Sequence, residues 1–500
     1  MSAPVVATFL VAAALLGAIV IFPFRDVAWF RRAMLFWLLI TPALFFNAGN
    51  VFVGLVIVAA LAALMLPRSE FLVAPFYIVA LFAAPPEYRA SIPLPASMQL
   101  IALNSQQTIG MVVFAMTLTT KWPVHPPYHR ALPARVLVLV GLYCALISIF
   151  SLKETTFTDA IRRGMSYGLS IWLLVFLVLR TVNSKDDVWN GLKAVLAVAV
   201  VFSLMSFLVQ IKSWNFYTYL NQDFSIWKGG EYRFGFLRTS LTVSTGLLGF
   251  VTGLGIMITL ALQERISRTW RSLLIGCMTF SCFVSLARGA WLAVALMLVS
   301  FVVFRSKLPG MSLFLRVIPV FMVAGLVSWF DLLEFSVPDD PFGTFDYRKE
   351  LYSTSWLQFL EAPLLGQVDF IENDRFDHLV QGEGIIDIVS VYLQVVLSFG
   401  LVGLLVFLAP FGMVIAGLLR LRERCLGSHD KNVLDASAVL LSSLLGYLFL
   451  VGTTSAVSLI SETGALIVGL SAALCRIGHQ PSQADDRASA LVQSGLPALR

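Results

Sequence analysis

Charge is scarce in this chain. Asp, Glu, Lys and Arg make up 13% of its 500 residues, against 58% apolar residues. A soluble domain carries about 25% charge, so an ordinary water-facing surface is excluded. Cysteine is scarce too. Cys144, Cys277, Cys282, Cys425 and Cys475 all fall in apolar runs or beside basic loops, a placement that argues against structural disulfides. Cys277 and Cys282 share one apolar run, where small apolar packing outweighs a metal site. No internal repeat is evident and no EF-hand spacing is present, and the acidic trio Glu372, Asp374 and Asp377 reads as a solvated loop. The net charge of +6 is what loops facing anionic lipid produce, and it does not point to nucleic acid.

Long apolar runs are abundant. The mean hydropathy is +0.85, and the runs recur at lengths that cross about 30 Å of hydrocarbon. The pattern predicts an all-α polytopic membrane protein of about 14 transmembrane helices, with spans expected at 166–182, 239–262 and 314–330 among them. The run from Pro4 to Phe22 has no basic segment ahead of it and reads as a retained span. Two stretches resist simple counting. Residues 33–66 are too long for one helix and short for two, which leaves the side of the N-terminus open. Residues 386–399 read as a helix dipping into the membrane or lying on it, ending at Phe399-Gly400. One set of alternate loops holds 22 of the 35 Lys and Arg and the opposite set 12. The first set is therefore expected in the cytoplasm, with the C-terminus.

The opposite face carries two long loops. Residues 212–238 are rich in Trp and Tyr. Residues 331–385 hold twelve Asp or Glu against Arg348, Lys349 and Arg375. Within the second, 347–361 fits a short amphipathic helix with Leu351, Ser355 or Trp356, and Phe359 on one face, broken by Pro363 and Gly366. The expected organisation is a bundle over 1–330, a large outer loop over 331–386, a second part of the bundle over 387–476, and a loose tail over 477–500.

Arginines stand on the face that is poor in positive charge: Arg233 and Arg238 in RFGFLRTS, Arg288 in SLARGAWLA, and Arg348 in FDYRKE. Each alone could snorkel to lipid phosphate. Several on one face of a short-looped bundle favour a shared site for phosphate or diphosphate, gripped through bidentate hydrogen bonds. Of five histidines only His378 lies on that face, as a general base or an ordinary loop residue. Asp387 could accept a proton from a sugar hydroxyl, or could simply favour the start of a helix through the dipole. Aromatic residues such as Tyr232 could stack on sugars or sit at the membrane interface. Gly246, Gly249 and Gly253 on one span read as close helix packing.

RFGFLRTS before a span, SLARGAWLA at an outer turn, WLQFLEAPLLGQ, and DIVSVYLQVVLSFGLVGLLVFL follow one another over about residues 190–420. In this order they resemble the O-antigen ligase and O-antigen polymerase superfamily. The matching positions are Arg233, Arg288, Arg348, Pro363, Gly366, Tyr392, Leu393, Gly400 and Gly403. The sequence departs where the ligase branch carries His-Asn ahead of "YL": Val389 and Ser390 stand there, and the polymerase branch is closer. The second glycine of "GxG" is Asp369 or missing. The resemblance implies a glycosyltransferase type C-like fold with a periplasmic loop. It also implies a cofactor-free, metal-independent glycosyltransferase of the bacterial inner membrane, acting on polyprenyl-diphosphate-linked oligosaccharide and a glycan acceptor within the lipid bilayer. Arg233 and Arg288 would stabilise the leaving diphosphate, Asp387 or His378 would take the proton, and Arg238, Arg348, Tyr392 and Tyr232 would bind substrate. Polysaccharide assembly and export proteins would be partners. A flippase or other transporter without chemistry is the rival reading, against which the missing repeat and the large outer loop stand.

Overall fold

The structure is a computed structural model that describes residues 2–93, 99–120, 131–153, 155–220, 231–306, 344–380, 385–428 and 430–478. The expected span at 314–330, the tail from 479, and the loop aromatics Phe224 and Trp227 lie outside the described residues, as do His125, His129, His429 and His479.

The described chain is a helical bundle. Its helices are α1 (Ala3–Ile21), α2 (Ala28–Phe46), α3 (Val51–Met65), α4 (Glu70–Phe82), α5 (Ser105–Thr119), α6 (Ala131–Ser151), α7 (Phe157–Tyr167), α8 (Leu173–Thr181), α9 (Lys185–Lys212), α10 (Thr245–Ala261), α11 (Arg268–Val284), α12 (Arg288–Arg305), α13 (Thr344–Glu361), α14 (Val391–Ser428), α15 (Lys431–Gly452) and α16 (Ile460–Ile477). Two short antiparallel pairs complete it: β1 (Arg89–Pro93) with β2 (Gln99–Asn104), and β3 (Tyr232–Arg233) with β4 (Phe236–Leu237). Among the described residues, nine helical stretches are long and apolar enough to cross a membrane, and three shorter apolar helices accompany them. The stretch 33–66 resolves into two helices, α2 and α3.

Local sequence sets the helix ends. Asn104 and Gln107 form a reciprocal cap at the start of α5, and Ser184 and Asp187 form another on α9. A π-helical turn, Gly168–Trp172, joins α7 to α8 and extends the expected span at 166–182 back to Phe157. The span expected from 239 begins only at Thr245, because the backbone of Thr239 and Ser240 bonds to Val284 and Asn215 instead.

Helices α10, α15 and α16 are central, while α1 and α6 turn much of their surface outward. Small residues allow the central contacts. A Cβ on Gly253 would stand 2.2 Å from Val294, and one on Gly249 would stand 2.9 Å from the Cβ of Ala290, so α10 and α12 meet at backbone distance. The loops sort into two ends. At one, Arg180 pairs with Glu70 at 2.7 Å, Lys185 with Asp430 at 2.6 Å and Arg305 with Asp435 at 3.0 Å. This is the end holding the basic loops. At the other, Tyr88 donates to Asn47 O at 2.9 Å and Thr242 to Phe82 O at 2.7 Å. The candidate residues gather at this second end.

Candidate active site

The first component is the hairpin β3–β4. Phe234 and Gly235 both have positive φ, 54° and 80°, as a two-residue turn matching the strand twist requires. Gly235 adopts this freely. Phe234 does so at a steric cost and leaves its ring exposed at the tip. The hairpin folds Arg233 and Arg238 onto one carboxylate. Arg233 Nε donates to Glu231 Oε1 at 2.6 Å, and Arg238 Nη1 donates to Oε2 at 2.5 Å. Burial works to raise the Glu231 pKa, but the charge and hydrogen bond of Arg238, then those of Arg233, outweigh it and hold the carboxyl below its usual range. Two guanidiniums are thus already arranged around a single anion. Gln210 holds the base of the hairpin through Leu237 O at 2.6 Å and Thr239 Oγ1 at 2.7 Å.

The second component is the turn before Arg288. Thr239 N donates to Val284 O at 3.0 Å, fixing the hairpin to the end of α11. Leu286, buried and with φ of 50°, reverses the chain. Arg288 is therefore the first residue of α12 rather than the middle of a turn, and its side chain is exposed. Phe236 packs edge-on to Phe283 at 5.5 Å, and Phe283 stacks on Trp291 at 5.6 Å, so the hairpin and both flanking helices share one aromatic seam.

The third component is the loop 453–459 between α15 and α16. Thr453 packs on Gly289, where a Cβ would lie 2.3 Å from its hydroxyl. The Ser458 hydroxyl accepts from Ser244 N at 3.1 Å. Ser455 donates to the carboxylate of Asp387. Asp387 lies four residues ahead of α14, in a segment without helix, so the helix expected from 386 starts at Val391. The Tyr347 hydroxyl occupies both backbone groups of Asp387, donating to its O at 2.9 Å and accepting from its N at 2.8 Å. Asp387 is thus held by a serine and a tyrosine and does not serve as a helix-end charge.

The remaining candidates take separate places. Arg348 is half-buried on α13, where burial pushes the neighbouring Tyr352 phenol up against the pull of the Arg348 charge. His378 is exposed, with Nε2 at 3.4 Å from Thr354 Oγ1 of α13. Tyr392 donates to Leu448 O and ties α14 to α15. Tyr232 is exposed on β3. Glu372, Asp374 and Asp377 are exposed, and among the described residues no three His, Cys, Asp or Glu are grouped to hold a metal.

Two motif segments interlock. α13 ends at Glu361, and the Pro363–Gly366 turn inserts at a break in α14. Leu401 N donates to Pro363 O at 2.9 Å, Val402 N to Leu364 O at 3.2 Å and Gln367 N to Leu397 O at 2.8 Å. The break is at Gly400, with φ of 64° and ψ of −165°. Loop carbonyls therefore cap the second half of α14, satisfying amides that the break leaves open.

Beside this interlock lies a cavity of about 330 Å³ between α6, α7, α14 and α16. Its walls are largely apolar, with Tyr143, Phe399, Phe407 and Phe411 among them. Arg163 and Val368 stand at the site end, and Arg163 pairs with Asp369 at 3.0 Å.

Sequence reading missed Glu231, Tyr347, Arg163 and the 453–459 loop. Only the loop had a local signal, the small polar run TTSAVS between apolar stretches.

A bundle of membrane-length helices, with arginines and a held carboxylate at one end, defines a multi-pass membrane protein, and the family comparison supports a glycan-processing enzyme. Residues 273–408 match a protein-family model described as O-antigen ligase. The matched segment takes in Arg288, Arg348, His378, Asp387, Tyr392 and the interlock, and leaves out the hairpin. The resemblance seen in the motifs is thus borne out over that segment. No curated protein matches the chain.

Proposed function

We propose that this protein transfers glycan from a polyprenyl-diphosphate-linked oligosaccharide to a glycan acceptor at the outer face of the bacterial cytoplasmic membrane, as a polymerase or ligase in O-antigen or exopolysaccharide assembly. The observation that carries this reading is the Thr239–Val284 bond. It joins the hairpin bearing Arg233 and Arg238 to the turn ahead of Arg288, where the family match lies. The basic end faces the cytoplasm, residues 331–386 form a periplasmic loop between bundle parts 1–330 and 387–476, and 477–500 is a cytoplasmic tail.

In the reaction an acceptor hydroxyl attacks the anomeric carbon. The bond from that carbon to the diphosphate oxygen breaks, and the anomeric configuration inverts. Negative charge grows on the leaving diphosphate, and the guanidiniums of Arg233, Arg238 and Arg288 stabilise it. These cations take the part that a divalent metal plays elsewhere. The hydroxyl proton passes to Asp387, which Ser455 and Tyr347 hold in place, with His378 as the other acceptor. Arg348, Tyr232 and Tyr392 contribute to substrate binding around this centre.

The test is coupling in vitro. Purified protein in lipid is given a polyprenyl-diphosphate-linked oligosaccharide. Longer glycan together with free polyprenyl diphosphate is the expected result. Movement of the lipid across the bilayer with no new glycosidic bond would make the protein a transporter and end the proposal.

A further inference from the structure

Helix α13 changes character along its length. Toward its start the exposed side chains are charged or polar: Asp346, Lys349, Glu350 and Ser353. Toward its end they are Trp356, Leu357 and Leu360, and the turn that follows adds Leu364 and Leu365. These five apolar side chains are exposed by 42–62%. On the helix, Ser353, Trp356, Leu357 and Leu360 share one face, at spacings of three and four. The opposite face meets the outer loop's own core. Leu351 packs there with Phe370, Phe376 and Leu379, and Asn373 Nδ2 donates to Gln358 Oε1 at 3.1 Å. The apolar stripe is therefore the side that the loop core leaves uncovered. A contiguous apolar surface of this kind marks contact with a partner or a membrane. Glu361 is the charged residue within 356–365, and Arg375 donates to it at 2.6 Å.

The turn shows which of these covers the stripe. Its main chain is bonded to α14, Leu401 N to Pro363 O and Val402 N to Leu364 O. From Leu401 to Leu419 α14 carries no charge, and Arg420 follows at the basic end. That is about 28 Å of helix, which matches about 30 Å of hydrocarbon. Leu401 thus stands at the hydrocarbon boundary at the site end, with Leu364 beside it. Leu401, Val402 and Leu405 are themselves exposed, Leu405 by 68%. They continue the stripe of α13 onto the lipid-facing side of a membrane helix. Trp356 stands where polar exposure gives way to apolar, and tryptophan is a residue type that settles at headgroup level.

We infer that the end of α13 and the 363–366 turn rest in the bilayer leaflet at the site end, with Leu357, Leu360, Leu364 and Leu365 among the acyl chains and Trp356 at the headgroups. Contact of this depth is what an apolar helix face makes at the boundary of headgroups and acyl chains. The outer helix is held from two directions. Lipid takes its last turns, and Tyr347 in its first turn holds the backbone of Asp387. The bilayer therefore sets the height at which α13 meets the site, whether or not the chain transfers glycan.

The experiment uses the full chain in lipid nanodiscs with Cys277→Ser, since Cys277 is partly exposed and the other four cysteines are buried. Nitroxide labels at Lys349→Cys, Ser353→Cys, Leu357→Cys, Leu360→Cys and Leu364→Cys report collisions with oxygen, which concentrates in hydrocarbon, and with a water-soluble nickel chelate. Leu405→Cys is the reference for lipid. Collision with nickel should fall at least about tenfold from Lys349 to Leu364, because a polar solute is kept out of hydrocarbon. Collision with oxygen should rise in the same order. A second measurement needs no variant. Phosphatidylcholine with a diazirine along its acyl chain should label residues 356–365 of the unaltered protein and leave 346–353 unlabelled, as read by mass spectrometry.

Nickel collision at Leu364 equal to that at Lys349 would put the stripe in water. Loss of both collisions there would mean that protein covers it, from a second copy or from another segment of this chain. Either result overturns the inference, as does acyl-chain label that is absent from 356–365. Neither measurement requires turnover, so failure here is distinct from failure of the transferase reading.

Discussion

The backbones of Gly366 and Gly400 lie against each other, both in the left-handed region, with φ of 63° and 64°. A Cβ on Gly366 would stand 2.6 Å from Gly400 N, and one on Gly400 would stand 2.2 Å from the carbonyl carbon of Leu364. The obstacle on each side is main chain, which cannot rotate away. Gly400→Ala and Gly366→Ala should each destabilise the protein by about 1–2 kcal/mol from backbone strain alone, and by more once the clash is added. Thermal unfolding in detergent should show the loss. Gly412, which has open space around it, is the control: Gly412→Ala should leave the midpoint unchanged or raised.

Arg288→Lys and Arg233→Lys keep the charge and lose the planar fork. At least a tenfold fall in glycan product is expected from each, about 1.4 kcal/mol of transition-state stabilisation. Protein levels should stay normal. Near wild-type product in both variants would remove the arginines from the reaction. Turnover should survive EDTA, and its loss with restoration by magnesium or manganese would move the cationic role to a metal.

Asp387→Asn preserves shape and removes proton acceptance, so a loss of about a hundredfold or more in turnover is expected. His378→Ala should be nearly silent, because that ring is exposed and touches α13 through Thr354. The reverse pattern in single-turnover kinetics would transfer the base to His378. Ser455→Ala should lower turnover with little effect on substrate binding, as expected of a residue that positions the carboxylate.

The hairpin should loosen in acid. The Glu231 pKa lies below its usual 4.5 in the folded chain. Its contribution is therefore complete above the unfolded value and is lost as pH falls through the depressed folded value. Amide protection factors over residues 231–238, which remove the intrinsic pH dependence of exchange, should be high at neutral pH and fall below about pH 4.5. In Glu231→Gln they should be low throughout, and a flat, high profile in that variant would show that the two arginines need no counter-charge to keep the hairpin closed.

The bundle and the helix at 347–361 were legible because apolar periodicity reports burial. Leu351 and Ser355 are buried as that pattern places them, while Trp356 is exposed. The breaks at Pro363, Gly366 and Gly400 were legible from residue type. The start of α14 was not. Residues 385–390 have the hydropathy of a helix, but Tyr347 takes both backbone groups of Asp387, a contact 40 positions away in sequence. Glu231 was also missed. Its pairing with Arg238, seven residues on, exists only after the β-turn reverses the chain. The cavity is assembled from helices far apart in sequence, and no window along the chain contains it.

The Pro363–Gly366 turn is stitched to α14 by main-chain bonds on both sides of its break, and just before that break Val395, Ser398 and Phe399 form a wall of the cavity. α13 is covalently continuous with that turn. A tug on α13 therefore works as on a lever whose pivot is Gly400, and its far arm is the cavity wall. The position of α13 and the room in that chamber cannot be mechanically independent, so a load on one should register in the other.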